Sequence, residues 1–311
     1  MAAKLAVITD SSCSLPSKLV EKYRIKQLPL KIIIDGKMHP DPCDASKTLA
    51  LFKSGMLSKK HEVTTEPPTP EEFEQAIREA VESECKNIVI QTVNRTQGET
   101  YNNANIAASN MRRELNNGRH DFTIRVMDSR TVFAGQAVMI SETIRRILAG
   151  QNANEVRRSM DHLSENIHTY ILPRDPLLAL KRAQKRNENA VGWGKVFIAS
   201  ALGIYPVLCN VNDSSYLAAK VRGFENTVEQ LFNHACVQIE NKLLIPLVGI
   251  NYGGSMQELQ ELPGYQKLKE VAQKHKVQII PSVMSIAGGI YTSVGSLSLA
   301  VACEPGEWSG G

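Results

Sequence analysis

Three times in the first half of the chain a short apolar run gives way to hydroxyl, amide and carboxylate residues and then to a helical pattern. Leu5-Ala6-Val7-Ile8 runs into Thr9-Asp10-Ser11-Ser12. Ile88-Val89-Ile90 leads through Gln91-Thr92-Val93 into the polar stretch from Asn94 to Thr100, and Thr123-Ile124-Arg125-Val126-Met127 runs into Asp128-Ser129-Arg130. Each unit reads as strand, polar turn, helix. Strands that alternate with helices imply a parallel sheet covered on both faces, because a parallel crossover needs a helix-length connection. In open sheets of that kind, ligands bind beside the carboxyl ends of the strands. Asp10, Ser11, Ser12, Asp128 and Ser129 are therefore candidates for a ligand site, and each also serves as an ordinary turn or cap residue.

The middle unit is the richest. After Asn94-Arg95-Thr96-Gln97-Gly98-Glu99-Thr100, the residues Tyr101, Ala104, Ala108, Met111 and Leu115 recur at helical spacings of three and four. A polar loop at a helix start turns backbone N–H groups and hydroxyls toward an anion, so a carboxylate or phosphate fits over Thr96, Gly98 and Thr100. The plainer reading is that Thr100 caps the helix and Gly98 relaxes the turn.

At 311 residues the chain is long enough for two domains. The polar stretch Gly150-Gln151-Asn152-Ala153-Asn154 marks the expected boundary, which divides 1–152 from 153–311. The net charge of +4 is dispersed. Arg112-Arg113, Arg157-Arg158 and Lys181-Arg182 with Lys185-Arg186 lie on helical patterns beside acidic residues. They read as solvated faces, with no stripe for nucleic acid. Six scattered cysteines form no CxxC pair and no cluster with histidine, so neither zinc nor a disulfide framework is indicated. The start of the chain runs straight into a strand with no signal-peptide pattern, and no apolar run reaches transmembrane length. A reducing, cytoplasmic setting is expected.

The rest of the first half contains a strand region, Leu28 to Ile34, ended by an Asp35-Gly36 hairpin turn, and a short helix within 41–58. The proline-stiffened loop Val63–Pro70 follows, and Thr69-Pro70-Glu71-Glu72 launches a helix to Glu82. In the second half, strands are expected at 168–173, 204–208, 215–221, 243–250 and 277–281. Helices are expected at 175–186, 226–239 and 265–275, with a loop at 187–195. This order implies an α+β layer with helices on one side of its sheet. Ser285 to Val301 is rich in glycine, hydroxyls and apolar residues. It reads as a loop that approaches a ligand and then closes into a buried strand or helix. The final residues, 304–311, read as frayed.

Dinucleotide, Walker A and nucleophile-elbow sequences are absent, and no histidine falls in a strand-end loop beside a serine or cysteine. From residues alone the chain is a two-domain α/β binding protein with a hydroxyl-rich cleft between its domains.

Several separated segments resemble the DegV family, which includes the fatty-acid-binding subunits of bacterial fatty acid kinase. Val7-Ile8-Thr9-Asp10-Ser11 is similar to the family's opening strand and Asp-Ser turn. Leu28-Pro29-Leu30-Lys31, Asp35-Gly36-Lys37 and Asp41 resemble the next strand and turn. Thr65 through Pro70 is similar to its Thr-Ser-Gln-Pro-Ser-Pro segment, and Thr100-Tyr101-Asn102-Asn103-Ala104 to the end of its Ser-Gly-Thr-Tyr loop. Asp128-Ser129 with Gly135, Ile204-Tyr205-Pro206 and Val221-Arg222 resemble later landmarks. The likeness spans about Leu5 to Val301.

The resemblance implies a parallel-sheet α/β/α domain followed by an α+β domain, with a long-chain fatty acid in an apolar tunnel between them. Its carboxylate would meet Thr65, the Gly98–Thr100 loop and Arg222, with Tyr291 and Thr292 in the carboxyl-terminal segment. Ser11 and Ser129 complete the set expected near the ligand. The implied role is lipid binding without catalysis, metal or cofactor, and alternatively presentation of the fatty acid to a separate ATP-dependent kinase subunit. An enzyme of the related dihydroxyacetone-kinase-like fold would need a well-placed histidine, which this chain lacks. The sequence also departs from the family. Tyr291-Thr292-Ser293-Val294-Gly295 stands where the family has His-Thr-Gly-Pro-Gly. Gly98-Glu99 stands for the Ser-Gly before Thr-Tyr, Asn94-Arg95 for the preceding serine pair, and Glu66-Pro67 for Ser-Gln.

Overall fold

The computed structural model describes residues 5–116, 122–185 and 203–310. The first half contains β1 (Leu5–Asp10), α1 (Ser17–Tyr23), β2 (Lys26–Leu28), β3 (Lys31–Ile34), β4 (Lys37–Pro40), α2 (Ala45–Lys53), β5 (Val63–Glu66), α3 (Pro70–Glu82) and β6 (Asn87–Thr92). A 3-10 turn at Arg95–Gln97 leads to α4 (Thr100–Asn116), β7 (Thr123–Asp128), α5 (Ala134–Leu148) and α6 (Ala153–Glu165). The second half contains β8 (Ile167–Leu172), α7 (Pro176–Lys185), β9 (Ile204–Val211), β10 (Ser214–Arg222), α8 (Phe224–Glu240), β11 (Leu247–Tyr252), α9 (Met256–Glu261), α10 (Tyr265–Lys274), β12 (Gln278–Val283), α11 (Ile286–Thr292) and β13 (Leu297–Ala302). The loop expected at 187–195 lies outside the described residues.

The three strand–turn–helix units form the parallel sheet their order implies. Strands β2-β1-β6-β7 pair in that order, and every pairing is parallel. Ile88, Val89 and Ile90 are fully buried because helices cover both faces of β6. The strand region from Leu28 to Ile34, however, is divided between two sheets. Leu28 closes the parallel sheet, while β3 joins the antiparallel sheet β4-β3-β5. Pro29 sits at the break, where a residue without an N–H can leave one ladder before the next begins. Asp35 and Gly36 take left-handed φ values of 49° and 78° in the hairpin turn. Thr69 caps α3 with a full capping box, its side chain accepting from the Glu72 N–H and Glu72 returning to the Thr69 N–H.

The second half builds a mixed six-stranded sheet in the order β10-β9-β8-β13-β11-β12, parallel between β11 and β12 and antiparallel elsewhere. On one face, α8 and α10 bury Phe232, Leu231, Val228 and Leu268. The other face is also covered. It carries α5 from the first half, packed through Ala134, Val138 and Met139. Expecting helices on one side only missed this because α5 belongs to the preceding strand–helix units. Gly249 permits the close approach: a Cβ there would lie 2.6 Å from the Ala134 carbonyl oxygen. Strand β11 begins later than expected, after Pro246, and the short helix α9, with a capping box of Ser255 and Glu258, was not among the expected helices.

Two other expectations are corrected. The segment from Ser285 opens as helix α11, capped by the Ser285 hydroxyl on the Gly288 N–H, where a loop was expected, and then closes into the buried strand β13 as expected. The chain end is docked, not frayed. Trp308 stacks on His234 with ring centroids 4.6 Å apart, and the Ser309 N–H donates to His234 Nδ1 at 3.1 Å.

Candidate functional site

A cavity of about 440 Å3 lies between the two halves, within the range that holds small ligands. The loop after β6 forms one wall. Asn94 organises it, accepting at its Oδ1 from the Thr96 N–H at 2.8 Å and the Thr96 hydroxyl at 2.9 Å. Gly98 follows at φ 133° and ψ −166°, a conformation that only glycine adopts without strain. Thr100 then enters α4 with its side chain buried. Asp128, at the end of β7, accepts from the Arg95 and Arg130 N–H groups and so holds the loop down. Burial raises the Asp128 carboxyl above its ordinary range.

The opposite walls come from β5, α11 and the β9–β10 hairpin. Tyr291 on α11 meets Thr65 on β5: its hydroxyl lies 3.0 Å from Thr65 Oγ1 and accepts the Thr65 N–H at 3.2 Å. Ala287 and Thr292 share that helix face. Helix α11 fits closely because Gly288 and Gly289 leave room for Met284 and Phe52, whose atoms lie 2.4 and 2.5 Å from where Cβ atoms would be. Much of the apolar lining is one continuous cluster of Val93, Val132, Phe133, Ile171 and Leu208, extended by Leu217. Phe133 has φ 45°, a strained value for an aromatic residue, and this turn carries its ring into the cluster.

Beneath the cavity floor lies a buried polar network. The fully buried Asp10 carboxylate accepts from the Ser12 N–H at 3.1 Å, the Ser12 hydroxyl, and the Val93 N–H at 2.7 Å. Burial raises the Asp10 carboxyl despite these hydrogen bonds. The network ties the ends of β1 and β6 together and places Ser12 on the cavity lining.

The structure brings together five of the eight expected residues: Thr65, Gly98, Thr100, Tyr291 and Thr292 all line the cavity. Their hydroxyls are not equally free, since the Thr292 hydroxyl already donates to the Gly288 carbonyl at 2.8 Å. Ser11, Ser129 and Arg222 lie elsewhere. In the turn that follows β1, Ser11 donates to Asp41 at 2.9 Å, whereas Ser12 bonds to Asp10 and Gln136. Ser11 lines a second cavity, of about 690 Å3, on the other side of the network. Ser129 is buried in its own turn and donates to the Thr131 carbonyl at 3.0 Å. Arg222 is exposed at the far end of β10, where it pairs with Ile204. It is five residues beyond Leu217, or about 15 Å along the strand, which is why it is not on the lining.

Other lining residues escaped sequence reading. Asn210, Ser215, Tyr216 and Leu217 become neighbours only when the hairpin folds over the first half. Its tip is pinned there by the Arg95–Asp213 ion pair at 2.7 Å and by the Asp213 N–H, which donates to the Arg130 carbonyl at 3.3 Å. Arg182, read as part of a solvated basic face, is buried. Among the described residues no group of histidine, cysteine, aspartate and glutamate could hold a metal ion, and no helix is long and apolar enough to cross a membrane.

Comparison with known proteins agrees with this architecture. The chain is 28% identical over 312 residues to a DegV domain-containing protein of Xanthomonas axonopodis pv. citri, covering 98% of this chain and 99% of that one. A solved stearic-acid-binding protein from Eubacterium ventriosum has the same fold, with a TM-score of 0.78 at 20% identity over 96% of this chain and 98% of its own. A DegV lipid-binding protein from Thermotoga maritima gives a TM-score of 0.75 at 18% identity, again over 96% and 98%. The family model described as "uncharacterised protein, DegV family" matches residues 4–304, and with that span the chain belongs to the DegV family.

Proposed function

We propose that this protein binds a long-chain fatty acid in the cavity between its halves. The acyl chain would lie against Val93, Val132, Phe133, Ile171, Leu208 and Leu217, and the carboxyl group would face Thr65, Gly98, Thr100 and Tyr291. The observation that carries the reading is the division of one cavity into a continuous apolar cluster and a set of hydroxyl and backbone donors. Each methylene buried on such a wall contributes about 0.8 kcal/mol, and a few fixed donors orient the head. Support also comes from structural relatives with the same fold that are named for the fatty acid they bind. The Tyr291 hydroxyl can donate a hydrogen bond to a carboxyl head. The role is binding, with no bond made or broken.

Denaturing mass spectrometry of the purified protein should detect a co-purifying acyl chain, and delipidated protein should take up palmitate. Tyr291→Phe removes one hydrogen-bonding group and should weaken palmitate binding about fivefold, the effect of roughly 1 kcal/mol. A protein that carries no acyl chain and takes up none after delipidation would overturn the reading.

A further inference from the structure

Among the described residues Arg182 is the only buried lysine or arginine, with 5% of its surface exposed. Among the described residues its hydrogen bonds go to main-chain carbonyls. Nη1 donates to Ile290, and Nη2 to Leu57 at 2.7 Å and Ser58 at 3.4 Å. Glu142, also fully buried, provides a contrast, because Arg145 and Arg146 both pair with it. Carbonyl oxygens satisfy the donors of Arg182 but do not neutralise its charge. Asp175 interacts with it electrostatically but lies two turns earlier on the chain, about 10 Å along a helix axis, and already caps the Leu178 N–H at 3.0 Å.

The three carbonyls locate this charge. Ile290 immediately precedes Tyr291, while Leu57 and Ser58 lead toward β5, which carries Thr65. Arg182 therefore ties together the two segments whose side chains meet as the Tyr291–Thr65 pair. It also binds the carbonyl end of α11, which would otherwise present negative partial charge near the head of a bound anion. Ala183, the next residue, lines the cavity.

We infer that Arg182 makes the cavity select a carboxylate over a neutral head group, acting through Tyr291 and the α11 carboxyl end as a positioning residue. This rests on the fatty-acid reading. An arginine that only staples segments together would support every ligand equally. One that supplies the field at the head group would favour the ionised ligand alone.

The test compares palmitate with hexadecanol, which has the same chain length and no charge, by displacement of a fluorescent fatty acid at pH 8. The wild type should bind palmitate at least tenfold more tightly. Arg182→Gln should reduce that ratio to threefold or less with little change in hexadecanol affinity, and Arg182→Lys should keep most of the preference. Thermal melting establishes that each variant is folded. Equal weakening of both ligands in Arg182→Gln would overturn the inference, as would loss of the preference in a folded Arg182→Lys. If Arg182→Gln fails to fold, Arg182→Lys and the wild-type ratio decide. Wild-type protein that binds both ligands within threefold overturns the role of Arg182 alone. Wild-type protein that binds neither overturns the fatty-acid reading itself.

Discussion

His234 on α8 is held neutral by its surroundings. Its Nδ1 accepts the Ser309 N–H at 3.1 Å, so the ring proton sits on Nε2. Trp308 stacks on one face, and Tyr170 meets the ring edge-on at 4.7 Å. Burial, with a smaller contribution from His168, pushes the pKa down to about 4. An unfolded chain holds that histidine near its ordinary value of about 6.5, so between these two values the unfolded state binds the extra proton. Stability should therefore fall as pH drops from about 6.5 to about 4 and level off on either side. The loss from this residue is up to about 3 kcal/mol. Burial lowers the pKa of His168 as well, and the same pH window would include it. Urea denaturation of wild type and His234→Gln at pH 7, 5.5 and 4.5 isolates the His234 share. The variant should show the shallower slope, and parallel slopes would count against this assignment. None of this was legible in the sequence, where the tail's contact with α8 has no local signature.

At the scale of elements, the sequence carried what local chemistry controls. The Thr69 capping box, the Asp35-Gly36 hairpin and the three strand ends all follow from residues close together in the chain. The Asn212-Asp213 turn is of this kind too, and both residues take left-handed φ values, 45° and 63°. Where that hairpin goes was not legible, because its docking depends on Arg95 and Arg130, which lie far away in sequence. Arg222 was misplaced for the same reason: a family position identifies a residue, while strand register decides which end of β10 it occupies. The docked hairpin carries Leu208, Asn210, Ser215, Tyr216 and Leu217 as a cavity wall, with the Arg95–Asp213 pair at its tip. That pair is partly exposed, the two side chains at 54% and 17%, so it adds less than about 1 kcal/mol to stability. Its larger effect should be on ligand release. Asp213→Ala should leave the melting temperature nearly unchanged and raise the off-rate of a bound fluorescent fatty acid several-fold, measured by stopped-flow transfer to an acceptor. An unchanged off-rate would mean that the hairpin tip does not retain the ligand.

The whole molecule is joined through two helices that cross its midline. Helix α5 follows the parallel sheet, where Ala137, Ile140 and Ile144 pack with Val7 and Cys13, yet it also covers β11 and β13 of the second sheet. Helix α6, just beyond Asn152, packs back on β6 and β7. A cut at residue 152 would leave the second sheet without α5 and the first without α6. Ile167, Leu247, Ile280 and Ala300 would lose apolar cover, as would Val89 and Met127. Fully exposing an aliphatic side chain of this kind sacrifices about 1.5–3 kcal/mol, and folded domains are stable by only about 5–15 kcal/mol. Losing several such contacts together exceeds that margin. The fragments 1–152 and 153–311, expressed separately, should then each lack a cooperative thermal transition and bind a hydrophobic dye, and co-expression should restore a single transition. A sharp, independent melt for either fragment would show that its sheet is complete alone. The cavity lies between these two sheets, so a sequence that builds α5 to serve both also sets how Val93, at the end of β6, faces Leu208 on β9 across the cavity.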